Sequence, residues 1–145
     1  MKIAIGSDHA GLRLRKILVR AIQGVEFIDV GTDSEESCDY PDYISQVAQH
    51  VKSGKADAGI ALCGTGIGAS IVANKFDGIR AALCTNCFMA EMSKRHNNAN
   101  VLVIGARVVG DDLAVRIVES WLGAEYEGGR HQRRLDKIAA IERNG

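Results

Sequence analysis

The sequence predicts an α/β fold in which helices cover both faces of an open, parallel β-sheet. Short runs rich in Val, Ile and Ala, which are typical of buried strands, alternate along the chain with longer segments of helical periodicity. This alternation indicates a parallel sheet, because a crossover helix returns the chain to the same edge of the sheet after each strand. The length of 145 residues fits one domain, which we expect to span residues 1–145.

Strands are predicted wherever a short apolar run is bounded by glycine or polar residues. The first run follows Met1 directly, and the third leads into a glycine-rich segment. The predicted strands are Lys2–Gly6, Glu26–Val30, Ala58–Cys63, Ile79–Cys84 and Val101–Gly105.

Helices are predicted between the strands and after the last one. Pro41 fits the first turn of the second helix, where a missing N–H group leaves no hydrogen bond unmade. Apolar stripes at helical spacing define three helices: Leu14, Ile17, Leu18, Ala21 and Ile22; Ile44, Val47, Ala48 and Val51; and Leu113, Ile117, Val118, Trp121 and Leu122. The other predicted helices are Gly66–Lys75, Phe88–Arg95 and Gln132–Arg143.

The composition excludes several classes of partner. The 18 Lys and Arg residues balance the 18 Asp and Glu residues, so no net charge attracts nucleic acid or an acidic membrane. No apolar run approaches the roughly 18 residues of a membrane span, and the run after Lys2 is too short for a secretory signal. We therefore expect a cytoplasmic protein that binds neither nucleic acid nor membranes and keeps its cysteines reduced.

Segments rich in polar or ionisable residues lie beyond the ends of the predicted strands. Ligands of open α/β sheets bind beyond the carboxyl ends of the strands, which is where these residues fall. We expect them to face one crevice. They lie in the segments Ser7–Gly11, Asp39–Asp42, Cys63–Gly68 and Arg95–Asn98, and at Arg107.

Cys63 begins the glycine-rich segment Cys-Gly-Thr-Gly-Ile-Gly, residues 63–68. Backbone N–H groups in a turn from strand to helix favour a bound anion, and the same environment favours a thiolate over a thiol. The glycines would let a ligand approach the backbone closely. The spacing alone is equally consistent with a small buried cysteine that precedes a tight turn.

Better-known motifs do not fit this segment. A Walker phosphate-binding loop needs Gly-Lys-Ser/Thr, but Gly68 is followed by Ala69 and Ser70. The dinucleotide fingerprint needs a glycine where Ala69 stands, and a cysteine phosphatase needs an arginine there. The separate Cys84–Cys87 motif is a lone C-x-x-C without a second pair of zinc ligands, so we interpret it as structural.

The other candidates each have a structural alternative. Asp8 could cap the first helix, the His96–Asn98 segment could be a helix C-terminal turn, and the arginines of Arg130–Arg134 could form a solvated helix face. Together with Cys63 they supply a thiol base, an imidazole and several guanidinium groups. Guanidinium forks match phosphate oxygens and imidazole transfers protons near neutral pH, so this set suits a small phosphorylated substrate.

Six motifs, in order, resemble the type B ribose-5-phosphate isomerases, whose superfamily also contains the galactose-6-phosphate isomerase subunits. The resemblance implies a Rossmann-like three-layer sandwich with five parallel strands. It also implies a homodimer or a dimer of dimers, with the C-terminal helix, about residues 131–143, at the interface. The resemblance extends from residue 1 to about residue 142 and rests on Ser7–Gly11, Asp39–Asp42, Cys63–Gly68, Arg80–Ala82, His96–Asn100 and Gly128–His131.

The implied reaction interconverts ribose 5-phosphate and ribulose 5-phosphate through an enediolate, without a metal or another cofactor. The resemblance implies that Cys63 moves the proton between C2 and C1, that His96 opens the furanose ring and that Thr65 assists at the sugar oxygens. It further implies that His96, Asn97 and Arg107 come from the chain next to the one that supplies Cys63. The implied substrate-binding residues are Asp8, His9, Tyr40, Gly64, Thr65, Gly66, Ile67, Gly68, Asn97, Arg107, Arg130 and Arg134, of which the three arginines would hold the phosphate.

Two alternatives remain open. The substrate could be galactose 6-phosphate, allose 6-phosphate or a tetrulose 4-phosphate, although Cys63 and His96 in one chain favour a self-sufficient homo-oligomer over a site divided between two different subunits. The chain could also be a non-catalytic sugar-phosphate-binding module. A thiol base paired with an imidazole argues against such a module, which would have no use for either group.

Overall fold

The computed structural model describes all residues, 1–145, and places one parallel sheet between two layers of helices. The strands are β1 (Lys2–Ser7), β2 (Glu26–Asp29), β3 (Ala58–Cys63), β4 (Ala81–Leu83) and β5 (Val101–Gly105). A 3₁₀ turn, His9–Gly11, precedes α1 (Leu12–Ala21), and the other helices are α2 (Tyr40–Lys52), α3 (Ile67–Ala73), α4 (Cys87–Asn97), α5 (Asp111–Leu122) and α6 (Arg130–Asn144). The predicted fold class and all predicted helices and strands are confirmed.

The strands lie side by side in the order β2-β1-β3-β5-β4, with every neighbouring pair parallel. The central strand β3 is therefore paired on both sides. The edge strand β4 is shorter than predicted because the Asn100 side chain, rather than another strand, accepts a hydrogen bond from the Arg80 N–H group at 2.8 Å.

Two separate cores fill the space between the sheet and the helix layers. One contains Ile60 and Leu62 of β3 with the apolar stripes of α1 and α5, including the fully buried Trp121. The other contains Ala61 and Cys63 with buried residues of α2 and α3. Successive side chains of a strand point to opposite faces, so the Cys63 side chain faces the α2–α3 layer.

The C-terminal helix α6 follows a loop in which Gly128 and Gly129 both have positive φ, 65° and 58°. Such angles favour glycine, because a Cβ atom would clash with the backbone. The loop brings the start of α6 beside the end of α4, and the Glu142 carboxylate near the end of α6 accepts a hydrogen bond from the Gly78 N–H group at 3.0 Å. No helix in this chain combines the length and the apolar character needed to cross a bilayer.

Candidate active site

An open pocket of about 480 Å³ lies at the carboxyl ends of β1, β3 and β5. Three separate loops and the start of α2 meet there because parallel strands end at the same edge of the sheet. Of the residues expected to face one crevice, the structure brings together Asp8, Tyr40, Cys63, Gly64, Thr65, Ile67, Gly68 and Arg107, and Ile71 also lines the pocket.

Cys63 ends β3 at the base of this pocket and is 4% exposed. The following turn is held against the segment after β5, since the Cys63 carbonyl accepts a hydrogen bond from the Ala106 N–H group and the Gly64 carbonyl accepts one from the Arg107 N–H group, both at 2.9 Å. The turn therefore keeps the thiol and the backbone N–H groups beside it in a fixed relationship.

Gly66 is the residue on which the shape of this turn depends. It has φ +81°, and a Cβ atom at this position would lie 2.5 Å from Leu83 Cδ1 and 3.1 Å from the Gly105 nitrogen. Both the backbone angle and the surrounding space therefore require glycine. The Thr65 hydroxyl accepts a hydrogen bond from the Ile67 N–H group at 3.2 Å, which leaves its own proton free to donate into the pocket.

Gly68 allows Tyr40 to close one side of the pocket. A Cβ atom on Gly68 would lie 2.5 Å from Cζ of the Tyr40 ring. The tyrosine stands at the first position of α2, and its ring packs directly on the α3 backbone. The missing side chain at Gly68 thus makes room for an aromatic wall rather than for substrate.

Asp8 caps the turn that follows β1 and also lines the Cys63 pocket. Its Oδ1 atom caps the 3₁₀ turn by accepting hydrogen bonds from the Ala10 and Gly11 N–H groups at 3.0 and 3.2 Å. The residue is only 6% exposed, and the face that remains open borders the Cys63 pocket. The cap holds the carboxylate in place and leaves Oδ2 for a ligand.

Arg15 is fully buried and stabilises the segment around Asp8. Its guanidinium group donates to the Ser7 hydroxyl and to the Thr32 carbonyl, both at 2.5 Å, and forms an ion pair with Asp29 at 3.1 Å. One side chain therefore ties the end of β1 to the end of β2, directly under the Asp8 loop.

Arg107 lies in the Cys63 pocket of its own chain. A Cβ atom on Gly64 would be 3.3 Å from Arg107 Nη1, so the guanidinium group lies over the glycine turn. A partner chain is therefore not needed to bring this arginine to Cys63, and the expected assignment of Arg107 to the neighbouring chain is wrong for this pocket.

His9 faces a neighbouring groove of about 520 Å³ rather than the Cys63 pocket. Its Nδ1 atom accepts a hydrogen bond from the Cys38 N–H group at 3.2 Å, so the neutral ring carries its proton on Nε2. Arg13, Lys16 and Arg20 also line this groove, which is therefore cationic.

His96, Asn97, Arg130 and Arg134 do not reach Cys63 within one chain. His96 and Asn97 end α4, which leads from the carboxyl end of β4 back to the amino end of β5. Arg130 and Arg134 lie in the first turns of α6, beside that end of α4. The residues expected to form a single site are thus divided between the carboxyl ends and the amino ends of the strands.

The imidazole rings of His96 and His131 stack with their centroids 4.3 Å apart and their planes 15° apart. Glu127 Oε1 lies 3.3 Å from His131 Nε2 and 3.9 Å from His96 Nε2. A hydrogen bond from Arg95 is the main reason that the pKa of Glu127 is below its ordinary value, so this carboxylate is ionised at neutral pH.

Asn97 lines a second cavity of about 410 Å³, between α6 and the start of β4. The Arg80 guanidinium group closes the adjoining turn by donating to the Asn97 and Asn98 carbonyls at 3.1 and 2.9 Å. Asn98 has φ 46° and ends α4 in the left-handed region, so the predicted C-terminal turn is also present.

Cys84 and Cys87 are free thiols, and Cys84 is 1% exposed. Burial raises the pKa of Cys84 to about 11, so at neutral pH this residue is an inert thiol in the core. This environment agrees with the structural interpretation of the C-x-x-C motif.

The prediction from the sequence missed three residues near these two ends of the sheet. Ile71 lines the Cys63 pocket, and its position one helical turn after Ile67 was the available signal. Glu127 and His131 flank the Gly-Gly pair, and their i, i+4 spacing across a loop gave no sequence signal for contact.

Comparisons with known proteins identify the family to which this chain belongs. The family model described as Ribose/Galactose Isomerase matches residues 3–138. Ribose-5-phosphate isomerase B of Escherichia coli (strain K12) is 55% identical over 143 residues, which cover 97% of this chain and 96% of that protein. The structure of ribose-5-phosphate isomerase B from Clostridium thermocellum matches with a TM-score of 0.98 at 55% identity and 99% coverage of both chains.

A further solved structure is that of ribose-5-phosphate isomerase B from Mycoplasma genitalium with bound ribulose-5-phosphate. It matches with a TM-score of 0.92 at 42% identity, over 99% of this chain and 97% of that one. The agreement in sequence and fold extends over nearly the whole chain. This chain therefore belongs to the ribose/galactose isomerase family.

Proposed function

We propose that this chain is an aldose–ketose isomerase that interconverts ribose 5-phosphate and ribulose 5-phosphate. The observation that carries the proposal is the position of Cys63 at the base of an open pocket, beside the glycine turn and Arg107. Such a reaction needs a base to move the proton, N–H donors to stabilise the enediolate oxygen and a cationic group to bind the phosphate. Cys63, the glycine turn and Arg107 supply these three groups. Two relatives that match nearly the full length of this chain carry the name ribose-5-phosphate isomerase B.

The thiolate of Cys63 removes the proton from C2 of the open-chain aldose, and the electron pair moves onto the carbonyl to give an enediolate. The resulting thiol then returns a proton to C1 while the proton of the C2 hydroxyl passes to O1, so that C2 becomes the carbonyl carbon of the ketose and no net oxidation occurs. The backbone N–H groups of the glycine turn are placed to stabilise the negative oxygen of the intermediate. The free proton of the Thr65 hydroxyl can donate to a second sugar oxygen.

Arginine side chains bind the phosphate in this proposal. Arg107 presents its guanidinium group at the mouth of the Cys63 pocket, and a planar guanidinium group binds two phosphate oxygens at once. Arg130 and Arg134 are exposed on α6, at the other end of the sheet, and would approach the phosphate from a second chain.

We propose that a homodimer completes the site, with His96 and Asn97 supplied by the partner chain. An isologous interface exchanges the same surface in both directions, so two such sites form at once. Several large apolar side chains beside the pocket, at the start of α4 and along α6 lack a partner within one chain. They are Ile67, Ile71, Phe88, Ile138 and Ile141, whose exposed fractions range from 46% to 72%.

In the completed site, His96 would open the furanose ring. One imidazole nitrogen accepts the proton of the O1 hydroxyl. The imidazole then gives a proton to the furanose oxygen as the bond between C1 and that oxygen breaks. Imidazole suits this relay because it exchanges protons near neutral pH. The enediolate step that follows uses Cys63 and does not require His96.

The activity is tested by incubating the enzyme with ribose 5-phosphate in D₂O and following the reaction by NMR. We expect formation of ribulose 5-phosphate with deuterium at the carbon that is reprotonated. A binding module would give neither ketose nor exchange, and that result would overturn the proposal. A parallel panel of galactose 6-phosphate, allose 6-phosphate and a tetrulose 4-phosphate should give lower kcat/KM values. A higher value for any of them would reassign the substrate.

A further inference from the structure

His131 is a buried histidine with no assigned role. It is 4% exposed, and its Nε2 atom has no hydrogen-bond partner in the chain. A buried polar atom without a partner costs free energy, so an arrangement that retains one calls for a physical reason. The contacts of His131 are the ring of His96, stacked at 4.3 Å, and the carboxylate of Glu127 at 3.3 Å.

The ring geometry argues against a metal ion as that reason, although His96, Glu127 and His131 place three potential ligand atoms within 4.8 Å of one another. A metal bound by two imidazoles lies close to the plane of both rings. Planes only 15° apart and stacked face to face direct the two Nε2 lone pairs side by side instead of toward one point. Both nitrogens instead face the same carboxylate oxygen.

Glu127 is itself held in place. Its second carboxylate oxygen accepts a hydrogen bond from Arg95 Nε at 2.6 Å, and its backbone N–H group donates to the Arg95 carbonyl at 3.0 Å. Arg95 is fixed in turn by Glu91 at 2.8 Å. Oε1 is therefore a fixed negative acceptor that points at the histidine pair.

We propose that His131 and Glu127 are positioning residues for His96, where the stacked ring fixes the plane of the His96 imidazole and the carboxylate keeps a proton on its Nε2 atom. The neutral His96 ring then presents the lone pair of Nδ1 to the sugar, because only one nitrogen of a neutral imidazole carries a proton. This inference rests on the proposed ring-opening role of His96. Across 3.9 Å, the charge of the Glu127 carboxylate favours the His96 tautomer whose Nε2–H faces it, with or without substrate.

The first test measures the tautomer of His96 directly, without substrate. Correlation spectra of ¹⁵N-labelled protein report which imidazole nitrogen carries the proton. We expect Nε2–H for neutral His96 in the wild type and a mixture of tautomers in Glu127→Ala. Glu125→Ala, an exposed residue of the same loop without a hydrogen-bond partner, is the matched control and should leave the spectrum unchanged. An unchanged His96 tautomer in Glu127→Ala would overturn the proposal.

The second test separates ring opening from the enediolate step. Glu127→Ala and His131→Ala should lower the conversion of cyclic ribose 5-phosphate by roughly tenfold or more. Exchange of the C1 proton of ribulose 5-phosphate with solvent, which needs no ring opening, should stay within about twofold of the wild type. His131→Phe keeps an aromatic face against His96 and removes the unpaired nitrogen, so it should recover most of the activity that His131→Ala loses.

The variant His96→Asn, assayed in parallel, distinguishes failure of this inference from failure of the proposed function. If His96→Asn loses conversion but keeps exchange, while both Glu127→Ala and His131→Ala lose conversion and exchange equally, the positioning role is wrong. If His96→Asn itself shows no such difference, the ring-opening role of His96 is wrong, and the tautomer spectra still decide whether Glu127 orients the imidazole.

Discussion

Cys63 and His96 of one chain lie at opposite ends of the strands of the same sheet. Cys63 is the last residue of β3, whereas His96 lies in the last turn of α4, which returns the chain to the amino end of β5. The five residues of β5 alone separate the two ends by roughly 15 Å, at about 3.3 Å per residue. A proton relay requires contact with the substrate, so the proposed ring-opening role requires His96 to act on a sugar bound in another chain's pocket.

Subunit mixing tests this arrangement. Cys63→Ala and His96→Asn homodimers should each be nearly inactive. When they are dissociated and reassociated in equal amounts, about half of the dimers should be mixed, and each mixed dimer should contain one site with both lesions and one intact site. The recovered activity should approach about a quarter of the wild-type value. No recovery, after mass spectrometry has verified subunit exchange, would place both residues in one chain's site.

Cysteine variants should separate the proposed base from the structural thiols. Cys63→Ala should lower kcat by about 10² to 10⁴-fold, the range for loss of a general base, and leave the thermal unfolding midpoint nearly unchanged. Cys84→Ala should retain most activity. In the native enzyme Cys84 should also resist alkylation at neutral pH, because burial raises its pKa to about 11. Wild-type turnover in Cys63→Ala would eliminate this residue as the base.

Arg107→Ala should act mainly on substrate binding. The phosphate is remote from C1 and C2, so loss of the guanidinium group should raise KM, with a smaller fall in kcat where phosphate binding also orients the sugar. Arg107→Lys should restore only part of the affinity, since an ammonium group lacks the planar fork. The matched control is Arg116→Ala, an exposed arginine of α5. Steady-state kinetics with KM unchanged in Arg107→Ala would remove this residue from the phosphate site.

Two glycines with the same φ angle distinguish the effect of backbone strain from the effect of steric contact with neighbouring atoms. Gly54 and Gly66 both have φ +81°, but a Cβ atom on Gly54 would have no neighbour within 4 Å, whereas one on Gly66 would meet Leu83 at 2.5 Å. Gly54→Ala should lower the free energy of unfolding by about 1 to 2 kcal/mol and leave activity intact. Gly66→Ala should cost more and abolish activity, because the turn beside Cys63 must shift. Chemical denaturation and kcat measure both, and equal effects of the two variants would contradict the role of the turn.

Arg15→Met should destabilise the protein by about 3 kcal/mol or more, because it leaves the buried Ser7 hydroxyl and the Thr32 carbonyl without their cationic donor. Arg20→Met, an exposed position on the same helix, should change stability by no more than about 0.5 kcal/mol. A urea titration compares the two. If Arg15→Met matched its control, the buried cation would not hold the ends of β1 and β2 together.

The fold was predictable because each element carries a local signal. The alternation of apolar runs with helical stripes such as Ile44, Val47 and Ala48 reflects how strands and helices bury their faces. The spatial order of the strands has no such local signal, because it depends on how the helices that connect the strands pack against the sheet and against one another. For this reason the exchange of β4 and β5 relative to chain order was visible only in the structure.

The carboxyl-edge half of the site was predictable for a related reason. Asp8, Cys63 and Arg107 each lie at the carboxyl end of a strand or within two residues of it, so a parallel sheet places them together. The stack of His96 on His131 was not predictable, since it depends on how the Gly128–Gly129 loop turns α6 against α4. Whether a second chain brings this half to Cys63 depends on an interface that sequence spacing does not describe.

The alternation of side chains in β3 also limits how the length of this chain can change. Every residue of β3 is buried, and both of its sides are paired, so a single inserted or deleted residue would shift the register and rotate the Cys63 thiol into the core around Trp121. Substitutions at Cys63 leave the strand in place, whereas an insertion of one residue would remove the thiol from the pocket without changing its identity. Tolerated insertions and deletions should therefore fall in turns such as residues 53–57, where Gly54 faces open space.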